Sequence, residues 1–244
     1  MDAKAIEAVR TEANQGIAAG NARRTDVAAQ RFHKALELTA KIEDARARRD
    51  EVAALAGLFE NYRVFDLALQ AAEDAVELDR ELGLKNLMAQ DLLSVGNAHL
   101  GMDNVAKAEQ LYQQALDVFT AEKDFANAAS ATTNLAAIIA NRGDMKRGIV
   151  LLKQSLGYLA KEPFEHTEIQ TRFALLQGYE ITKSDLEDSV ENARQICRLL
   201  DRMPPDQRAM TKDFVRRTAA RYVAAHRELD AAAWKRKNFP AVGA

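Results

Sequence analysis

The spacing of small residues constrains this chain more than any other feature of its sequence. Ala28, Ala68, Ala108, Gly148 and Ser189 follow one another at intervals of 40, 40, 40 and 41 residues. Four residues beyond each stands Phe32, Ala72, Tyr112, Leu152 or Ala193, and three further on Ala35, Ala75, Ala115, Ser155 or Ile196. Upstream, a second set reads Gly16, Ala56, Gly96, Ala136 and Gln177, preceded by Gln15, Leu55, Val95, Leu135 and Leu176. One column means little in a chain with 46 alanines, but five columns at a constant offset are an internal repeat. Steps of three and four place these residues on one helical face. Small side chains let two helix axes approach to the short end of the roughly 8–10 Å packing range, so the columns mark crossings between paired helices. A single pair cannot bury both of its apolar stripes, and stacking of pairs into a solenoid follows.

Composition agrees with an all-α chain. The four prolines are Pro163, Pro204, Pro205 and Pro240, so the first 162 residues contain none, and there are 11 glycines in 244 residues. The expected helix pairs are 2–20 with 24–43, 45–61 with 63–82, 84–101 with 104–122, 124–141 with 144–160, and 164–182 with 184–202. A long last helix is expected over 206–237. Gly20-Asn21, Asn61, Gly101 with Asp103-Asn104, and Asn141-Arg142-Gly143-Asp144 serve as the turn signals within pairs, and Gly83 and Asp124 those between them. Pro204-Pro205 separates the repeats from the final helix. The single cysteine, Cys197, excludes an internal disulfide or a cysteine zinc cage and fits a reducing compartment as a buried thiol. No long apolar run stands at the start or later, so a cytoplasmic protein without membrane insertion is expected.

The small columns Gly96/Ala108/Ala115 with Tyr112, repeated at Ala56/Ala68/Ala75 and Ala136/Gly148/Ser155, resemble the tetratricopeptide repeats over roughly residues 9–202. The period exceeds the usual 34 residues of that family by about six, and no proline closes the units. In this the chain is similar to the long-helix members, the kinesin light chains and LGN-type spindle-orientation scaffolds. Leu92-Leu93-Ser94-Val95-Gly96-Asn97-Ala98-His99 and Ala131-Thr132-Thr133-Asn134-Leu135-Ala136-Ala137 carry the likeness most strongly. The resemblance implies an α–α superhelix of five helix pairs, with units at about 9–43, 45–82, 84–122, 124–160 and 164–202 in an array over 1–203. A capping helix and tail would occupy 204–244.

Catalytic constellations are not found. His33, His99, His166 and His226 show no metal-ligand spacing, and His99 reads as a packed, hydrogen-bonded imidazole. Glu165-His166-Thr167-Glu168 reads as an acidic helix start, and Ser184 with Glu187 as a capping box. No GxGxxG, GxxxxGK or GxSxG segment occurs, so neither an enzyme nor a cofactor or metal site is expected.

In arrays of the kind the resemblance implies, the first helix of each pair lines the concave surface. The residues expected there are Arg10, Ala13, Asn14 and Ile17; Asp50, Ala53, Ala54 and Gly57; Gln90, Leu93, Ser94 and Asn97; and Ser130, Thr133, Asn134 and Ala137. In the family, asparagines matching Asn97 and Asn134 hold the backbone of an extended peptide, since an amide both donates and accepts. The peptide-binding set is therefore Asn97, Asn134, Gln90, Leu93, Ser94, Ser130 and Thr133. Leu93, Thr171 and Leu175 stand where the family's chaperone-binding members carry bases, which argues against a clamp for a C-terminal carboxylate.

Charge is unevenly placed. Residues 198–239 hold eleven bases against five acids, while the chain as a whole has a net charge of −2. Phe214, Thr218, Tyr222, Ala225 and Leu229 form an apolar stripe that would seal the last unit. A secondary basic surface would carry Arg208, Lys212, Arg216, Arg217 and Arg221. Few aromatics accompany these bases, so a nucleic-acid partner is not expected; a solvated capping helix is the favoured reading, and engagement of an acidic partner or of another copy of the chain the alternative. The sequence thus predicts a non-catalytic scaffold or adaptor binding a segment of another protein. The alternatives are a peptide-responsive regulator and a platform self-assembled through the C-terminal helix.

Overall fold

A computed structural model of the chain describes residues 2–202, which form ten α-helices and, among the described residues, no strand. The helices are α1 (Asp2–Asn21), α2 (Thr25–Thr39), α3 (Ala45–Asn61), α4 (Phe65–Leu82), α5 (Lys85–Gly101), α6 (Val105–Glu122), α7 (Phe125–Asn141), α8 (Met145–Leu159), α9 (Glu165–Thr182) and α10 (Leu186–Leu200). The odd-numbered helices are the A helices of five pairs and the even-numbered ones the B helices. The expected final helix, its basic residues Arg208, Lys212, Arg216, Arg217 and Arg221, and the side chain of Cys197 lie outside the described residues.

The described helices fall into two compact units, Met1–Asn127 and from Ala128 on. Unit 1 holds α1 to α6, and unit 2 begins within the first turn of α7.

Within each A-to-B turn one residue adopts the left-handed conformation, and these residues share the 40-residue spacing: Arg23, Arg63, Asp103, Gly143 and Lys183. The following N–H reaches back five residues to close the helix end, from 24 to Ala19, 64 to Phe59, 104 to His99, 144 to Ile139 and 184 to Tyr179. The glycines read from sequence as turn signals at 20 and 101 do something else. A Cβ on Gly20 would overlap the Tyr62 ring, and one on Gly101 the Phe65 ring, so both leave room for an aromatic side chain from the neighbouring pair. Between pairs, Gly83 and Lys123 are the left-handed residues, at φ 69° and 61°. Asp44 and Asp144 cap α3 and α8 by accepting from the N–H of Ala47 and Arg147, at 2.7 and 3.0 Å.

Two expectations shift. Helix α2 stops at Thr39 rather than 43, because the chain turns there and Ile42 drops into the core at 1% exposure. In the fifth pair the place equivalent to Ala136 is Leu176, which is buried, whereas Gln177 is exposed. Helix α9 keeps the 40-residue offset and α10 takes 41, because one extra residue, Asp185 at φ 53°, enters the turn between them. The residue preceding α10 is therefore Asp185. Ser184 instead shares a hydrogen bond with Thr182, 2.7 Å, and donates to Asp185.

The B-helix columns are buried throughout, with Ala28, Ala68, Ala108, Gly148 and Ser189 at the crossings. At three of the crossings the facing columns pair a small residue with a large one. Gly16 meets Phe32 and Gly96 meets Tyr112, each so closely that an added Cβ would overlap the ring. Ala136 matches Leu152 on its B helix, whereas in the second pair Ala56 and Ala72 are both small.

Candidate functional site on the A-helix faces

In unit 1 the predicted residues Gln90, Leu93, Ser94 and Asn97 lie on one face of α5, all half-buried. The Asn97 amide is already engaged. Its Oδ1 accepts from the Tyr112 hydroxyl at 2.7 Å, and its Nδ2 donates to both carboxylate oxygens of Glu60, at 3.0 and 3.2 Å. Tyr112 is anchored in the core at 1% exposure, and burial together with the Glu60 charge pushes its hydroxyl well above the usual range. Burial also raises the Glu60 carboxyl, an effect the Asn97 hydrogen bond opposes. An amide has a further N–H and a further lone pair to offer, as the carboxylate has unfilled lone pairs.

Toward the other end of the same A helices lies a second polar set that sequence reasoning missed. Arg49 on α3 donates from Nε to Asp79 Oδ1 of α4 at 2.7 Å and from Nη2 to Asp79 Oδ2 at 3.1 Å. The same Nη2 donates to Asp91 Oδ2 of α5 at 2.7 Å. All three residues are buried, Asp79 completely. Two carboxylates thus face one guanidinium in a buried site, and burial together with the adjoining Asp79 raises Asp91 to about 7. A signal for this existed in the columns. At 40-residue spacing Arg49 stands in line with Val9, Ala89 and Ala129, and Asp79 with Thr39, Phe119 and Leu159. A charged pair in two otherwise mostly apolar columns marks a buried ion pair. Alongside it, Arg10 of α1 pairs with Glu51 of α3 through Nε at 3.0 Å, while Asp50 remains exposed beside Arg46 at 3.5 Å.

In unit 2 hydroxyls replace amides and carboxylates. Ser130 bonds Thr167 at 2.9 Å, and Thr133 bonds Ser155 and Thr171, each at 2.9 Å. Ser155 also donates to the Ala129 carbonyl at 3.0 Å, so this network ties α7, α8 and α9 together. Asn134 is half-buried and has no side-chain hydrogen bond among the described residues. Beside it, Ala137, Ala140, Ala174, Gln177 and Ile181 line a cleft of about 440 Å³ in which Ile181 is 63% exposed.

The remaining candidates behave structurally. Glu168 pairs with Arg172 at 2.8 Å, and His166 contacts Gln170 at 3.0 Å at the start of α9. The Nδ1 of His99 is buried with no hydrogen-bond partner, contrary to the expected satisfied imidazole. His99 takes the core place of Phe59 and Ile139 on its helix, where backbone neighbours are already paired along the helix. Among the described residues no group of three His, Cys, Asp or Glu could hold a metal ion, and no helix is long and apolar enough to cross a membrane.

The architecture is that of tetratricopeptide-like helical repeats. Among solved structures the chain is similar to aspartyl phosphate phosphatase F from Bacillus subtilis, with 14% identity over 99% of this chain and 72% of that one at a TM-score of 0.69. It is similar to a Rap protein complexed with the competence and sporulation factor, with 15% identity over 94% of this chain and 73% of that one at a TM-score of 0.60. A putative kinesin light chain from P. anserina with nearly identical TPR-like repeats matches at 15% identity, 78% and 94% coverage, and a TM-score of 0.54. No protein-family profile matches the chain, and no curated protein matches it in sequence.

Proposed function

We propose that this chain is a non-catalytic adaptor that binds a peptide segment of another protein across its A-helix faces. The observation that carries this reading is the open, small-residue character of those faces beside fixed polar groups. In unit 1 a Cβ on Gly57 would meet nothing within 4 Å, Ala54 is exposed, and the half-buried Asn97 is held by Tyr112; in unit 2 Ala137 is exposed. A face of this kind admits a backbone closely and offers donors and acceptors at small ordering cost. Gln90, Leu93 and Ser94 around Asn97, and Ser130 and Thr133 around Asn134, would select the sequence. The Rap protein whose structure contains the competence and sporulation factor shares the fold at low identity, which makes a peptide ligand a reasonable expectation here.

The test is affinity capture from the native lysate with the wild type and the Asn97→Ala/Asn134→Ala double variant in parallel, both checked for helicity by circular dichroism. A partner held by the wild type and lost by the folded variant supports the reading. Partners retained equally by both would remove it. The same Rap likeness favours one second reading, a peptide-responsive regulator. That version requires compaction when the peptide binds, which small-angle scattering would register.

A further inference from the structure

We infer that Glu60 is the docking point for a cationic side chain, a lysine or arginine of the bound segment, on the A-helix face of unit 1. This rests on the peptide-binding reading above and specifies the chemistry that the site selects.

The argument begins with missing charge balance. Three other sheltered carboxylates on the A helices are each faced by an arginine: Glu51 has Arg10, Asp91 has Arg49, and Glu168 has Arg172. Glu60 is half-buried and burial penalises its charge, yet the group that answers it is the neutral Asn97 amide. No cation lies against it among the described residues. Nor is the carboxylate loosely placed, because Asn97 is fixed by the hydroxyl of the fully packed Tyr112. A carboxylate already partly stripped of water and held in position gains a charge-assisted hydrogen bond with little reorganisation, and both of its oxygens can receive an arginine fork.

Space and apolar surface accompany the charge. Gly57, one turn earlier on α3, leaves open volume. Leu100, one turn beyond Asn97 on α5, is 41% exposed and can cover the aliphatic stem of a lysine or arginine. The same carboxylate repels a C-terminal carboxylate, so the site discriminates in the opposite sense to an acid clamp.

The test uses phage-displayed random peptides selected on the full chain and resynthesised with each arginine replaced by citrulline and each lysine by acetyl-lysine. Binding is measured to the wild type, to Gly57→Trp, which fills the open volume, and to Glu60→Gln. The expected result is loss of binding to Gly57→Trp and a weakening of about tenfold or more when one particular cation is neutralised. Glu60→Gln should weaken the parent peptide similarly and leave the citrulline or acetyl-lysine form unchanged. Peptides blocked by Gly57→Trp but indifferent to neutralisation and to Glu60→Gln overturn the charge assignment and leave the face reading intact. Peptides indifferent to Gly57→Trp overturn both, as does a selection that returns no binder. A second readout guards against misfolding of the variant: in the wild type, the Glu60 carboxyl followed by carbon NMR should titrate at lower pH with peptide bound, and an unchanged titration overturns the assignment.

Discussion

Gly96 on α5 lies against the Tyr112 ring of α6 so closely that no Cβ fits between them. The pair is filled by a small and a large side chain together, as one repeat later, where the equivalent partners are Ala136 and Leu152. Overpacking of a well-filled crossing costs about 1–3 kcal/mol, so Gly96→Ala is expected to lower stability by about 2 kcal/mol despite the better helix propensity of alanine. Shortening the facing residue with Tyr112→Leu should recover part of that loss. Chemical denaturation of the two single variants and the double variant measures the coupling, and strictly additive effects would contradict this shared filling.

The Arg49–Asp79–Asp91 cluster makes the stability of unit 1 depend on pH near neutrality. Burial and the adjoining Asp79 raise Asp91 to about 7, above its ordinary value of 3.8, so the folded state retains a proton that the unfolded chain has released. The associated stability is full below about pH 4 and is lost as pH rises through about 7. Asp91→Asn reproduces the neutral carboxyl, so the thermal midpoint of the variant should change little between pH 6 and 8 while that of the wild type falls. Parallel curves over this interval would show that Asp91 is ionised throughout.

Removal of Arg49 probes the same cluster from the other side. Arg49→Met leaves two buried carboxylates without their cation and is expected to cost about 3–5 kcal/mol at pH 8. The cost should shrink at pH 6, where a proton takes the place of part of the lost charge. Urea unfolding at the two pH values checks both the size and the trend.

Arg23 occupies a left-handed position at φ 57°, where an L side chain is strained. Replacement by glycine at such a helix end is expected to raise stability by about 0.5–1 kcal/mol, the strain relieved exceeding the added freedom of the unfolded chain. A thermal midpoint unchanged or lowered in Arg23→Gly would show that the arginine side chain contributes more than its backbone costs.

The repeat, the number of described helices and their ends to within a few residues were legible in the residues alone, because these depend on local periodicity and on alternation of small and large side chains. Gly16, Ala56, Gly96 and Ala136 sit at crossings as their 40-residue spacing required. The 41-residue interval in the fifth pair was visible in the sequence, but not where the extra residue enters: Asp185 in the turn shifts α10 alone, while α9 keeps the 40-residue offset, so the place of Ala136 falls on Leu176 rather than Gln177. Nor did local rules show that the Asn97 amide is held between Tyr112 and Glu60, that Thr133 reaches Ser155 and Thr171, or that Arg49 finds Asp79 and Asp91. Those partners stand about 15 to 42 residues apart in the chain, on different helices. A hydrogen bond needs its atoms within about 3 Å, a condition that the periodicity of one helix cannot impose on another and only tertiary packing decides.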